Sequence, residues 1–272
     1  AALESFTPLW LIVFRFIPSF VLLALIFRRR MAALTRQAAT SGLLAGCILA
    51  MSFLASTTGL VFTTAGKQAF ITTAYVVLVP LLLWVATRRF PGFGAFFSAL
   101  LCFAGMSFLT LQGDFSIGLG DGLSLLSAFF LALHMLVVER SVRDHDPVPL
   151  AIIQIGVVGF VALFLAPFLE NFPVRVSPGA WTALAYNIFL GTVFALVTQN
   201  LAQRHTTSTH TALILSLEGV FGAVAGAMVL GEIFTGRMVA GCALIFISIL
   251  VTELLPLKSA QVAVESPSAS LP

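Results

Sequence analysis

The chain has 272 residues, of which 59% are hydrophobic and only 9% charged, and its formal net charge is +3. A soluble domain carries roughly a quarter of its residues as Asp, Glu, Lys and Arg, so water is excluded as the solvent for most of this surface and lipid is the solvent that fits. The basic surplus does not point to nucleic acid, because Lys and Arg fall in short connections between apolar runs, where they set membrane orientation.

A membrane-spanning helix needs about 20 mainly apolar residues. In chain order the runs that qualify are 8–27, 41–61, 65–86, 93–111, 121–139, 148–169, 180–202, 208–230 and 237–255. None alternates polar and apolar as a barrel strand does. The predicted fold class is therefore all-α, a polytopic membrane helical bundle. The first run is long enough to span, so no cleavable signal peptide is expected. Cys47, Cys102 and Cys242 lie inside apolar runs at no metal or redox spacing, and read as packing residues.

The loop after the first run holds Arg28, Arg29, Arg30 and Arg36. With that loop cytoplasmic and sides alternating, Arg88, Arg89, Arg140, Arg143, Arg204 and Lys258 share its side, against Lys67, Arg175 and Arg237 opposite. This positive-inside bias predicts a multi-pass protein with a cytoplasmic C-terminus. Residues 257–272, rich in Ser, Pro and Ala, read as a disordered cytoplasmic tail.

The chain also resembles itself. At an offset of 143, residues 62–111 align with 205–254 without a gap, pairing Thr63-Thr64 with Thr206-Thr207 and Ala69 with Ala212. The expected organisation is a first repeat over 1–112 with four of five helices, and a second over 113–256 with all five. The partner of run 121–139 would fall before residue 1, so the first helix of the first repeat is expected to be the missing one. An odd number of helices per unit inverts one unit relative to the other, an arrangement that transporters use for alternating access.

Two stretches carry a family resemblance. Thr64-Ala65-Gly66-Lys67-Gln68-Ala69-Phe70-Ile71-Thr72 resembles the start of the fourth helix in EamA-type members of the drug/metabolite transporter superfamily, and Leu217-Glu218 followed by Leu230-Gly231-Glu232 resembles their ninth. Gly219 stands where that family commonly has proline, and Thr87-Arg88-Arg89 where a Leu-Gly-Glu would sit. The resemblance implies ten helices in two halves and transport of amino acids, metabolites or drugs.

Ionisable groups at membrane depth cost at least about 2.5 kcal/mol, so each needs a partner, water or a function. Arg15 lies within the first run and is a candidate anchor for a carboxylate or phosphate. Lys67 opens the third run, where Gln68, Thr72 and Tyr75 at i, i+4 and i+7 form a polar stripe on one helical face. The repeat pairs Lys67 with His210 and Tyr75 with Glu218. Glu218, about 16 Å into its run at 1.5 Å per residue, is a candidate for coupling to protons or for contact with an amine. Gln199 and Asn200 precede that helix and complete the substrate-binding candidates. His134, Gln154 and Asn187 read as hydrogen-bonders between helices. Glu232 and Glu253, at helix ends, read as solvated or capping groups. Gly42-x3-Gly46 and Gly222-x3-Gly226 read as close helix crossings, with Gly219, Gly222 and Gly226 crowding the helix beside Glu218.

The functional expectation is a secondary-active transporter, an exporter or exchanger of small metabolites, amino acids or drugs. No Walker-type run is present in the sequence, so a solute or proton gradient is the expected energy source and no cofactor is called for. The expected partners are a small-molecule solute, the lipid bilayer and coupled protons, not nucleic acid, with a monomer or homodimer as the assembly. The alternative is an intramembrane enzyme acting on a lipid-soluble substrate. Against it, the spans hold no His-x3-His pair, paired acids or nucleophile motif, and His205 and His210 are wrongly spaced for one helical face.

Overall fold

A computed structural model describes residues 6–110, 118–173, 176–230 and 235–254. The helices are α1 (Pro8–Ile26), a short α2 (Arg28–Ala32), α3 (Arg36–Gly59), α4 (Ala65–Thr72), α5 (Tyr75–Thr87), α6 (Phe93–Thr110), α7 (Leu119–Asp144) and α8 (Pro147–Leu169). They continue with α9 (Pro178–Tyr186), a π-helical segment (Asn187–Phe194), α10 (Ala195–Gln203), α11 (Ser208–Leu215), α12 (Leu217–Leu230) and α13 (Gly236–Leu254). Every apolar run read from the sequence is helical, as a bilayer demands of any spanning segment that must satisfy its own backbone. Among the described residues, six stretches are long and apolar enough to cross a membrane, namely Pro8–Ile26, Arg36–Gly59, Ala65–Thr87, Leu119–Asp144, Pro147–Leu169 and Pro178–Gln203. Phe93–Leu109 and Gly236–Thr252 are shorter apolar helices.

The starts are set by local chemistry. Thr35, Thr64, Ser177 and Thr207 are N-caps whose side chains accept a backbone N–H of the first turn. Pro8, Pro147 and Pro178 stand where the missing N–H costs nothing.

Two rods are interrupted in the same way. Between α4 and α5 the Thr73 hydroxyl donates to Ala69 O at 2.7 Å, and Val76 N turns back to Thr73 O at 2.9 Å. Between α11 and α12 the Ser216 hydroxyl donates to Leu213 O, and Gly219 N turns back to Ser216 O at 3.1 Å. Hydroxyls that bond backbone carbonyls, together with tight i to i−3 turns, loosen the regular ladder there.

Much of the outer surface is apolar: Val85, Phe93, Phe164, Phe168 and Met228 are among its most exposed side chains. Such a surface suits lipid. Inside, one core joins α1, α3, α8 and α10 around Phe16, Leu49, Ile152, Ile155 and Leu196. A second joins α5, α6, α7, α11, α12 and α13 around Val76, Cys102, Met135, Leu213 and Ile245. Leu131 of α7 packs against both.

Close crossings depend on glycine. A Cβ on Gly42 would sit 3.1 Å from Ile153 and one on Gly46 2.8 Å from Val157, so the expected α3 crossing with α8 is present. Gly105 and Gly241 bring α6 and α13 together so tightly that a Cβ on either would lie 2.8 or 2.7 Å from the other's carbonyl oxygen. Of the crowding expected at Gly219, Gly222 and Gly226, the part at Gly222 is corrected. Gly219 abuts Met106, but Gly222 has nothing within 4 Å, because its face of α12 is open. Gly226 lies outside the residues whose side-chain surroundings are described, as do the side chains of Glu232 and Glu253.

Candidate functional site: an arginine docked on a π-helix opposite a carboxylate

Arg15 sits seven residues into α1, about 10 Å along the helix axis. Its Nε donates to Thr192 Oγ1 at 2.6 Å and its Nη2 to Gly191 O at 2.8 Å. Both acceptors belong to the π-helical segment. A π-helix displaces the usual i to i−4 pairing and leaves groups free for other partners, and here the Thr192 hydroxyl itself donates to Asn187 O at 3.0 Å. Gly191 lets the guanidinium approach, since a Cβ there would lie 3.3 Å from both Arg15 Nη2 and Asn187 Oδ1. The charge also lies 5.2 and 5.3 Å from the ring centres of Phe16 and Phe53, a favourable cation–π arrangement. Two donors of the fork are thus held by protein, and Nη1 has no bond among the described residues.

Glu218 opens α12 directly after the interruption at Ser216. Its carboxylate lies within electrostatic reach of both Arg15 and Tyr75. It is exposed and, among the described residues, makes no hydrogen bond or ion pair. Tyr75 is buried and its hydroxyl donates to Ala212 O at 3.4 Å, joining α5 to α11. Beneath them Cys102 donates to Ser216 Oγ at 3.0 Å. Tyr75 and Cys102 thereby tie α5 and α6 to the segment that leads into Glu218.

The other sequence candidates lie elsewhere. Gln68 is buried and its amide donates to the carbonyl and hydroxyl oxygens of Ser56, tying α4 to α3. Thr72 Oγ1 is buried without a hydrogen-bond partner among the described residues. Because α4 ends at Thr72 and α5 begins at Tyr75, the expected stripe of Gln68, Thr72 and Tyr75 is divided by the interruption. Asn200 belongs to a buried chain across three helices. His134 Nε2 and Gln154 Oε1 are 2.8 Å apart, Gln154 Nε2 donates to Asn200 Oδ1 at 3.1 Å, and Asn200 Nδ2 donates to Leu196 O at 2.9 Å. Gln199 reaches Gln203 at 3.5 Å. The His210 backbone N–H donates to the Thr207 cap at 3.4 Å.

Three polar residues were missed in the sequence. Thr192 looked like one more apolar-helix threonine. Asp121 pairs with Lys67 Nζ at 2.6 Å, accepts from Thr63 Oγ1 at 3.0 Å and reaches back to the Gly118 N–H at 2.8 Å. Glu139 accepts from Ser208 N and Oγ at 2.8 and 2.6 Å and pairs with Arg143. The three-residue step from Gly118 to Asp121 and the i,i+4 pair of Glu139 with Arg143 were the available signals.

Fold and site together define a polytopic α-helical membrane protein with a few ionisable groups held within its helical bundle. The profile of the EamA-like transporter family matches residues 118–254, and the chain belongs to that family. An uncharacterized transporter of Archaeoglobus fulgidus is 31% identical over 204 residues, which cover 75% of this chain and 65% of that protein. An uncharacterized transporter of Methanothermobacter thermautotrophicus is 27% identical over 205 residues, 72% and 57% of the two chains. The matches thus span less than two thirds of either relative's length. A protein of known crystal structure shares the fold, with a TM-score of 0.78 at 14% identity over 93% of this chain and 90% of the other.

Proposed function

We propose that the protein is a secondary-active transporter that exports or exchanges small solutes across the cytoplasmic membrane by alternating access. The observation that carries this reading is a pair of ionisable groups within apolar helices: Arg15, held on Thr192 and Gly191 with Nη1 unbonded among the described residues, and Glu218, exposed and without an ion pair among them. Isolated charges at membrane depth are costly. A solute bearing an anionic group for Arg15 and a cationic group for Glu218 would complement both, so zwitterionic metabolites, amino acids among them, are the favoured class. Neutral metabolites and drugs of similar size fall within the same reading, with protons as the candidate coupling ion at Glu218.

The two charges come from the two proposed units, Arg15 from 1–112 and Glu218 from 113–256. Support for the units comes from the matched caps at Thr64 and Thr207 and the matched interruptions at Thr73 and Ser216, each 143 residues apart. A site shared by units of opposite orientation is what rocking about a midplane requires. The loop charges favour a cytoplasmic C-terminus.

Solute counterflow tests the proposal. Purified protein in liposomes preloaded with unlabelled solute should accumulate the labelled form transiently for at least one member of a panel of amino acids, monocarboxylates, amines and uncharged metabolites. No counterflow and no saturable binding across that panel would reject the reading.

A further inference from the structure

Two of the three carboxylates of α7, Asp121 and Glu139, lie near its opposite ends and bind residues of other helices. Asp121 and Glu139 are 18 residues apart, about 27 Å along a helix, close to the hydrocarbon thickness of about 30 Å. Each holds the first turn of one interrupted rod. At one end Asp121 binds Lys67 Nζ and Thr63 Oγ1, at 2.6 and 3.0 Å, where α4 begins. The backbones close there as well, since a Cβ on Gly120 would meet Gly59 O at 2.8 Å. At the other end Glu139 binds the backbone N–H and hydroxyl of Ser208, the first residue of α11. Met135 O adds to this end by accepting from Ser208 Oγ at 2.9 Å and Gln203 Nε2 at 3.1 Å.

The two rods held in this way are the ones that lead to the site. α4 passes through the interruption at Thr73 to Tyr75, and α11 passes through the interruption at Ser216 to Glu218. Releasing one carboxylate frees the first turn of one rod at one face of the bundle and leaves the other rod tied. Alternating access needs two such separable closures.

We propose that Asp121 and Glu139 are the two gate latches of the transport cycle, Asp121 closing the path at the Lys67 face and Glu139 closing it at the Ser208 face. The proposal rests on the transporter reading above. The latches differ in chemistry. Asp121 holds its rod through a side-chain cation on that rod, whereas Glu139 holds its rod through a backbone N–H and a hydroxyl, with Arg143 of its own helix paired to the same carboxylate. Both residues are positioning groups, with no part in holding the solute.

Cys102 supplies a native reporter, because it is buried against Ser216 at the interruption of the second rod. With Cys47 and Cys242 replaced by Ala, it is the only remaining thiol of the chain. The protein is reconstituted in liposomes and a small membrane-impermeant methanethiosulfonate is applied from each face in turn. Hydrogen bonds to charged groups are strong enough to shift a two-state population about tenfold. Asp121→Asn should therefore raise the Cys102 labelling rate about tenfold from the Lys67 face and not from the other. Glu139→Gln should do the reverse, and Asp121→Glu and Glu139→Asp should fall between variant and parent. Glu170→Gln is the control. Its carboxylate accepts from Leu9 N at 2.9 Å and caps the uninterrupted α1, so its removal should leave both rates at the parent value. Equal acceleration at both faces in either variant marks a general loosening and overturns the proposal. So does labelling that is unchanged or absent in every variant. Counterflow in the same liposomes judges the transporter reading separately: counterflow that persists alongside symmetric labelling rejects the latches alone.

Discussion

Thr64 and Thr207, 143 residues apart, begin their helices in the same way, each accepting the backbone N–H of the residue three positions on, at 3.3 Å from Lys67 and 3.4 Å from His210. The likeness continues inward, where Thr73 and Ser216 end the first segments with backbone bonds to Ala69 and Ala212 at 3.1 and 3.2 Å. Two stretches of weak sequence identity thus share their N-cap and the backbone bonds that end their first segment. Losing a threonine cap costs about 1 kcal/mol. Thr64→Ala and Thr207→Ala should each lower thermal stability in detergent by that order, and the double variant should lose the sum, because distant sites add.

The seat of Arg15 on the π-helical segment predicts a binding defect without unfolding. In Gly191→Ala the new methyl would lie 3.3 Å from Arg15 Nη2 and must push the guanidinium aside. The expected result is a rise in KM of about tenfold for the transported solute, with the melting temperature close to that of the parent. A matching loss of stability would instead assign Arg15 a purely structural role.

The chain of His134, Gln154 and Asn200 predicts the opposite pattern. Gln154→Leu leaves the other two buried without their shared partner, at a cost of about 2 kcal/mol. Replacing all three by Leu removes the unsatisfied groups together and should restore part of that loss. Chemical unfolding in mixed micelles measures both.

Two glycines should behave differently under the same test. Gly241→Leu must separate α6 from α13, because even a Cβ there would meet Gly105 O at 2.7 Å. A loss of about 3 kcal/mol or outright failure to fold is expected. Gly222→Ala, with nothing within 4 Å, should change stability by less than about 0.5 kcal/mol.

The helices were legible because membrane spans are written in composition alone, and the caps were legible because Thr-Thr recurs at the repeat offset. Arg15 and Glu218 stood out as ionisable groups inside apolar runs. What the sequence hid depends on geometry between distant segments. Nothing in Asn187–Phe194 announces a π-helix, so the seat for Arg15 on Thr192 and Gly191 was invisible. Asp121 and Glu139 drew no attention in the sequence, because their partners at Thr63, Lys67 and Ser208 lie more than 50 residues away. The Gln68 stripe misled for the converse reason: helical periodicity assumes an unbroken helix, and Thr73 divides this one.

The central claim, that Arg15 and Glu218 hold opposite ends of one solute, is tested most directly by counterflow selectivity. Three solutes are compared: a zwitterionic amino acid, its decarboxylated amine and its deaminated carboxylate. The parent protein should prefer the zwitterion. Glu218→Gln should lower zwitterion flux to the level of the carboxylate, and Arg15→Gln should lower it to the level of the amine. Unchanged rates and unchanged selectivity in both variants would contradict the account.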